Sequence, residues 1–97
     1  MSNVNHILTR AGSDTLTQNG ETFNLDNVIE FQVINRGATD CQIGYTDGPK
    51  FCRVEKGTQR EFSGLSGYVY GGDMNIQFDG QSGDVEVFKR YITANEH

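Results

Sequence analysis

Two thiols, Cys41 and Cys52, have the widest chemical range of any side chains in this sequence: a disulfide, a metal thiolate or a nucleophile. They flank Thr46-Asp47-Gly48-Pro49, a turn signature in which the missing N–H of proline does no harm, so they fall on the two arms of one expected hairpin. If the turn is Tyr45-Thr46-Asp47-Gly48, the cysteines stand directly opposite one another, within bridging distance. If only Asp47-Gly48 turn, Cys41 opposes Val54 and Ile43 opposes Cys52. A three-residue loop puts the two on opposite faces. No basic-then-apolar leader opens the chain, and without that secretory signal free, core-packed thiols are the expectation.

Other chemistry finds less to work with. His6 and His97 are the only histidines and sit near the two ends, so a three-histidine metal site cannot be built. There is no Cys-x-x-Cys, and the serines at 2, 13, 63, 66 and 82 lie in no nucleophile-elbow pattern. Asp73, Asp79 and Asp84 flank the last two turns, where hard oxygen ligands can hold calcium, but their spacing fits no known calcium loop and Asp-Gly pairs are ordinary turn formers. Gly64-Leu65-Ser66-Gly67 and Gly71-Gly72 lack the Gly-Lys-Ser/Thr of a phosphate loop and precede strands rather than helices. No catalysis, cofactor or metal is expected.

Two groups of side chains suit binding better. Lys50, Arg53, Lys56 and Arg60 gather half of the 8 basic residues into one segment of a chain whose net charge is −5. Such a segment can steer the molecule to an acidic partner, although Glu55 and Glu61 interrupt it and the overall charge speaks against nucleic acid. It also serves as the charged guard of an exposed hairpin. Tyr45, Tyr68 and Tyr70 offer flat apolar faces with polar tips, Tyr68 and Tyr70 on one side of a short strand. They suit a core, a subunit interface or a platform for sugars.

The elements that must position these groups are strands. Val and Ile outnumber Leu and Ala, and the 12 glycines leave only 21–36 and 84–97 long enough for an ordinary helix. Both alternate instead: Ile29, Phe31 and Val33 against Glu30 and Gln32, with Val28 and Ile34 out of phase, and Val85, Val87 and Tyr91 against Glu86, Phe88 and Arg90. Strands are expected at 4–10, 28–35, both arms of 40–55, 59–63, 68–70, 74–78 and 85–92. Ala11-Gly12-Ser13-Asp14 reads as a turn, Asn19-Gly20 as the turn of a hairpin between two short runs, and 93–97 as a frayed tail. The result is a single all-β domain over 1–97, a compact antiparallel β-sandwich or small barrel of about eight short strands. Hydrophobic residues are only 35% of the chain, so its core is thin and stability is expected to lean on backbone pairing or on partner subunits. The longest apolar run, Tyr68-Val69-Tyr70, is far too short for a membrane helix, and no membrane partner is expected.

The stretch from Phe31 to Ile92 resembles a type of small protein encoded among the virion genes of tailed bacteriophages, including phages of Bacteroidetes hosts. The likeness is carried by Phe31-Gln32-Val33-Ile34-Asn35-Arg36-Gly37, by the Gly57 turn feeding Glu61-Phe62-Ser63-Gly64, by Met74-Asn75-Ile76-Gln77-Phe78-Asp79-Gly80, and by Val85-Glu86-Val87-Phe88-Lys89-Arg90-Tyr91-Ile92. These are strand-and-turn patterns rather than a catalytic signature, and the two cysteines depart from the pattern. What the resemblance implies is a non-enzymatic virion structural protein, made in the host cytoplasm, that decorates a capsid or joins head to tail. Its partners would be other virion proteins such as the major capsid protein, and further copies of itself in a homo-oligomer. Tyr68, Tyr70, Arg53, Lys56 and Arg60 are the expected contact residues. A carbohydrate-binding or adhesin-like module is the alternative.

Overall fold

Alternating apolar residues become alternating burial. A computed structural model describes residues 6–48, 50–63 and 69–96, and its elements are eight β-strands: β1 (His6–Gln18), β2 (Thr22–Asn24), β3 (Val28–Asn35), β4 (Cys41–Tyr45), β5 (Lys50–Val54), β6 (Gln59–Ser63), β7 (Asp73–Phe78) and β8 (Ser82–Glu96). They form two four-stranded sheets, ordered β1-β8-β3-β6 and β2-β7-β4-β5, with every pair antiparallel. Among the described residues no ladder joins one sheet to the other, so the architecture is an all-β sandwich rather than a closed barrel. Leu16, Phe31, Val33, Val85 and Val87 of the first sheet meet Phe23, Ile43, Val54, Met74, Ile76 and Phe78 of the second, and all are buried.

Register irregularities decide which residues reach that core. A shift between Val28 and Glu30 against β8 swaps the faces at the start of β3, so Val28 is buried at 1% exposure where strict alternation expects Ile29. At the other end of β3 the inward position holds Asn35, the one buried polar side chain among the described residues. Its amide donates to the carbonyls of Thr39 (2.9 Å) and Val54 (3.0 Å) and accepts from Gly37 N (3.0 Å). One side chain thus ties the β3–β4 loop to the end of β5.

Three expected features differ. Ala11–Asp14 is not a turn but the middle of β1, paired residue for residue with β8 from Ala11↔Arg90 to Asp14↔Val87. Gly12 sits there under the Tyr91 ring, 3.5 Å from where a Cβ would stand. Long-range pairing here overrides local turn propensity. Of the expected tail, His97 lies outside the described residues, and 93–96 are not frayed, because β1 pairs with β8 out to His6↔Glu96. Asn19-Gly20 does turn, with Glu21 N donating to Gln18 O (3.3 Å), but the strands it joins lie in different sheets. Only Gly20 has positive φ (85°), as in a type II turn, whereas a two-residue I′ hairpin needs it at both central positions.

The molecule measures 56 × 25 × 18 Å, and its radius of gyration is 15.1 Å. A compact chain of this length has about 12.5 Å. The excess length lies along β1 and β8, since β3 leaves β8 at Tyr91 while β1 follows it five residues further, forming a two-stranded ribbon.

Candidate functional site

The hairpin of β4 and β5 takes the second of the two cysteine registers, with Cys41↔Val54 and Ile43↔Cys52. A shift between Ile43 and Gly44 accommodates the turn, in which Gly48 N donates to Tyr45 O (3.1 Å). The cysteines are therefore diagonal neighbours, and both are free thiols. Cys41 is buried, and desolvation pushes its thiol up to about 11, which leaves it protonated and inert at neutral pH. Cys52 is half-buried at the margin of the core.

The basic segment covers one side wall of the sandwich, where β5 and β6, the edge strands of the two sheets, are joined by the turn around Gly57 (φ 74°). Its charges are unequally available. The Arg53 guanidinium donates to Asp40 Oδ2 (3.0 Å) and to Asp79, and these two carboxylates hold its pKa above the usual arginine value. Asp40 is held below the usual carboxylate range, chiefly by the Lys56 N–H (2.8 Å) and then by Arg53. Arg53 therefore fastens β5 to the loops before β4 and after β7. The side chains of Lys56 and Arg60 are exposed and enter no ion pair among the described residues.

Tyr68 lies outside the described residues. Val69 and Tyr70 form no strand, and Tyr70 N donates to Val28 O (2.7 Å) across the open end of the sandwich. The half-buried Tyr70 ring packs edge-on against Phe31 at 5.1 Å, and Phe31 in turn stacks on Phe62 at 4.7 Å. Burial and the neighbouring Tyr45 raise the Tyr70 hydroxyl pKa. This tyrosine closes the end of the core as well as presenting a margin to solvent.

The three aspartates do not converge. Asp73 accepts from Asn24 Nδ2 (2.8 Å), Asp79 takes Arg53, and Asp84 serves through its backbone, accepting from Arg36 N (2.8 Å). Among the described residues no three His, Cys, Asp or Glu side chains are grouped to hold a metal ion. The carboxylate that does tie a loop is Asp26, whose pKa is lowered by Gly72 N (2.8 Å) and then by Asn24.

Two concavities went unread in the sequence. A trough of about 330 Å³ runs over the outer face of the first sheet, where Phe88, 40% exposed, lies among Glu30, Glu61, Ser63 and Arg90. The signal for it was present: Phe88 falls on the polar phase of the 84–92 alternation. A cleft of about 430 Å³ opens between the sheets at the β1 side, where Lys89, 16% exposed, reaches Asn24 O (2.7 Å) and Asp14 Oδ2 (3.0 Å) beside Tyr91. The same alternation marked Lys89, which shares the inward phase of Val85, Val87 and Tyr91; what it did not show were the partners, Asn24 and Asp14, that the fold brings to the ammonium.

No protein-family model matches the chain, and no curated protein matches it.

Proposed function

We propose that this chain is a non-enzymatic structural subunit of a tailed-phage virion that docks on capsid or neck proteins and on copies of itself. The observation that carries the assembly reading is the molecule's elongated edge. β1 runs 13 residues along the border of the first sheet and continues with β8 into a two-stranded ribbon that is too narrow to be stable on its own in water. An edge of that length is a template for another protein's backbone. The virion setting rests on the resemblance of Phe31–Ile92 alone. In this reading Lys56 and Arg60 steer the subunit to an acidic patch, Arg53 holds the wall that carries them, Tyr70 supplies aromatic contact, and Tyr68, outside the described residues, is a further contact residue. Mass spectrometry of particles purified from a phage that encodes the chain tests the proposal. Many copies per particle are expected, with fewer retained for Lys56→Glu/Arg60→Glu. Particles complete without the chain refute it.

The trough around Phe88 favours a second reading, a carbohydrate-binding module in which a sugar ring lies on the phenyl face and Glu30 and Glu61 accept from its hydroxyls. A glycan array answered by wild type and lost with Phe88→Ala would favour it over the first.

A further inference from the structure

The outer border of β1 is open for eight residues. Thr17 N and Gln18 N are both taken by the Glu21 carboxylate (2.9 and 2.7 Å), which caps that end of the strand. From Thr9 to Leu16 the pairing with β8 is regular, and no other backbone hydrogen bond to these residues exists among the described residues. Half of their amide and carbonyl groups therefore face away from the sheet, along about 27 Å of strand. Natural edges of this kind are guarded by charged side chains, lysine above all, by proline or by a bulge, and the only charges on this one are Arg10 and Asp14. Thr9-Arg10-Ala11-Gly12-Ser13-Asp14-Thr15-Leu16 contains no lysine or proline, and its register is unbroken.

Its two charges have opposite sign and stand symmetrically about Gly12. If a second copy pairs antiparallel with its own β1, related by a two-fold axis through Gly12, Arg10 of each copy lies directly opposite Asp14 of the other. The same register sets Thr9 against Thr15 and Ala11 against Ser13, and it puts a residue with no side chain on the two-fold axis. Threonine pairs and opposite charges are favourable cross-strand neighbours. Shifting the register by one residue opposes Arg10 to Thr15 or Ser13 and loses both ion pairs. Arg10 is exposed and enters no ion pair among the described residues. Asp14 meets Lys89 through Oδ2 and remains 39% exposed, so its other oxygen is available to a second cation.

We propose that two copies of this chain join through β1, antiparallel about Gly12, merging their first sheets into one eight-stranded sheet sealed by two Arg10–Asp14 pairs. This deepens the assembly reading above and rests on it only for the role of the dimer. The register makes an unusual demand on mutants. Arg10→Glu sets like charges opposite one another twice, and so does Asp14→Arg. A mixture of the two variants restores opposite charges at both contacts.

Light scattering of the purified chain, with hydrogen exchange read along β1, tests this directly. A two-chain mass is expected, with amides from Thr9 to Leu16 protected at successive rather than alternate positions. Each single variant is expected to dissociate at least about tenfold more readily, Arg10→Lys to stay close to wild type, and the mixed variants to recover the two-chain species. Because Asp14→Arg also faces Lys89, exchange on the wild-type chain and Arg10→Glu alone suffice if that variant does not fold. A one-chain mass at the highest soluble concentration, alternate amides left unprotected, or a dimer indifferent to Arg10→Glu overturns the proposal. None of these results bears on whether the chain is found in purified particles, so the pairing and the virion reading stand or fall separately.

Discussion

Replacing Asn35 tests whether one buried amide holds the β3–β4 loop and the end of β5 together. Asn35→Ala removes the hydrogen bonds to Val54 O and Thr39 O and the one from Gly37 N, together with a long, weak one to Cys41 Sγ (3.8 Å) that adds little to the sum. The bond to Val54 O is buried and no water replaces it, a loss of about 1–3 kcal/mol; the other two, partly exposed, are about 1 kcal/mol each. The total of about 3–5 kcal/mol is a large share of the stability of a domain this small. The backbone of Asn35 is a built-in control, since its own N–H donates to Thr58 O (2.9 Å) and its carbonyl accepts from Gly57 N (2.9 Å) whatever the side chain. Urea unfolding followed by far-ultraviolet circular dichroism reads the effect. With a slope of about 1–1.5 kcal/mol per molar, the midpoint falls by about 2–5 M. Asn35→Asp sharpens the test. Its carboxylate cannot donate to the two carbonyls, so the folded state favours the protonated form and the side chain's folded pKa lies above its unfolded value. Relative to wild type, the variant is then weakest at neutral pH and regains stability as pH falls through that raised folded pKa. A midpoint for Asn35→Ala within about 0.5 M of wild type refutes the assignment, because no buried carbonyl would then have lost its partner.

The remaining predictions concern packing, charge and thiols. Gly83→Ala places a Cβ 2.2 Å from the buried Phe78 ring, so ring or strand must shift, and a loss of about 1–3 kcal/mol is expected in the same urea assay. Glu21, Asp26 and Asp40 have depressed folded pKa values, so their contribution is present above the ordinary carboxylate pKa and is lost as pH falls through the lower folded values. Asp40→Asn should accordingly flatten the acid limb of a stability–pH curve, and an unchanged limb would count against the Asp40–Arg53–Lys56 cluster. Native protein should show one thiol reactive to a disulfide reagent at pH 8, mapped to Cys52 by peptide mass, and two in urea. A single intramolecular bridge in the native chain would contradict the diagonal register.

Most of the strand content was legible because period-2 alternation reports burial directly, as at Phe31 and Val33 or Met74, Ile76 and Phe78. The Cys41–Cys52 relation was legible only as alternatives, since a register depends on a single residue of turn geometry and on a bulge that no local pattern announces. Among the expected contact residues, Arg53 turned out to be engaged by Asp40 and Asp79. Asp79 comes from the turn after β7 and Asp40 from the residue just before β4, and neither looks in sequence like an arginine partner.

The sequence by itself determined that the chain is all-β and where most turns fall, because side-chain shape and glycine placement act within a few residues. Tertiary structure alone decided that β1 runs straight through Gly12, that the last residues of the chain are paired, and that Asn19-Gly20 carries the chain between sheets. Each of these depends on a partner strand about seventy residues or more away in the chain or on the other sheet, and backbone pairing over that distance leaves no mark on local composition.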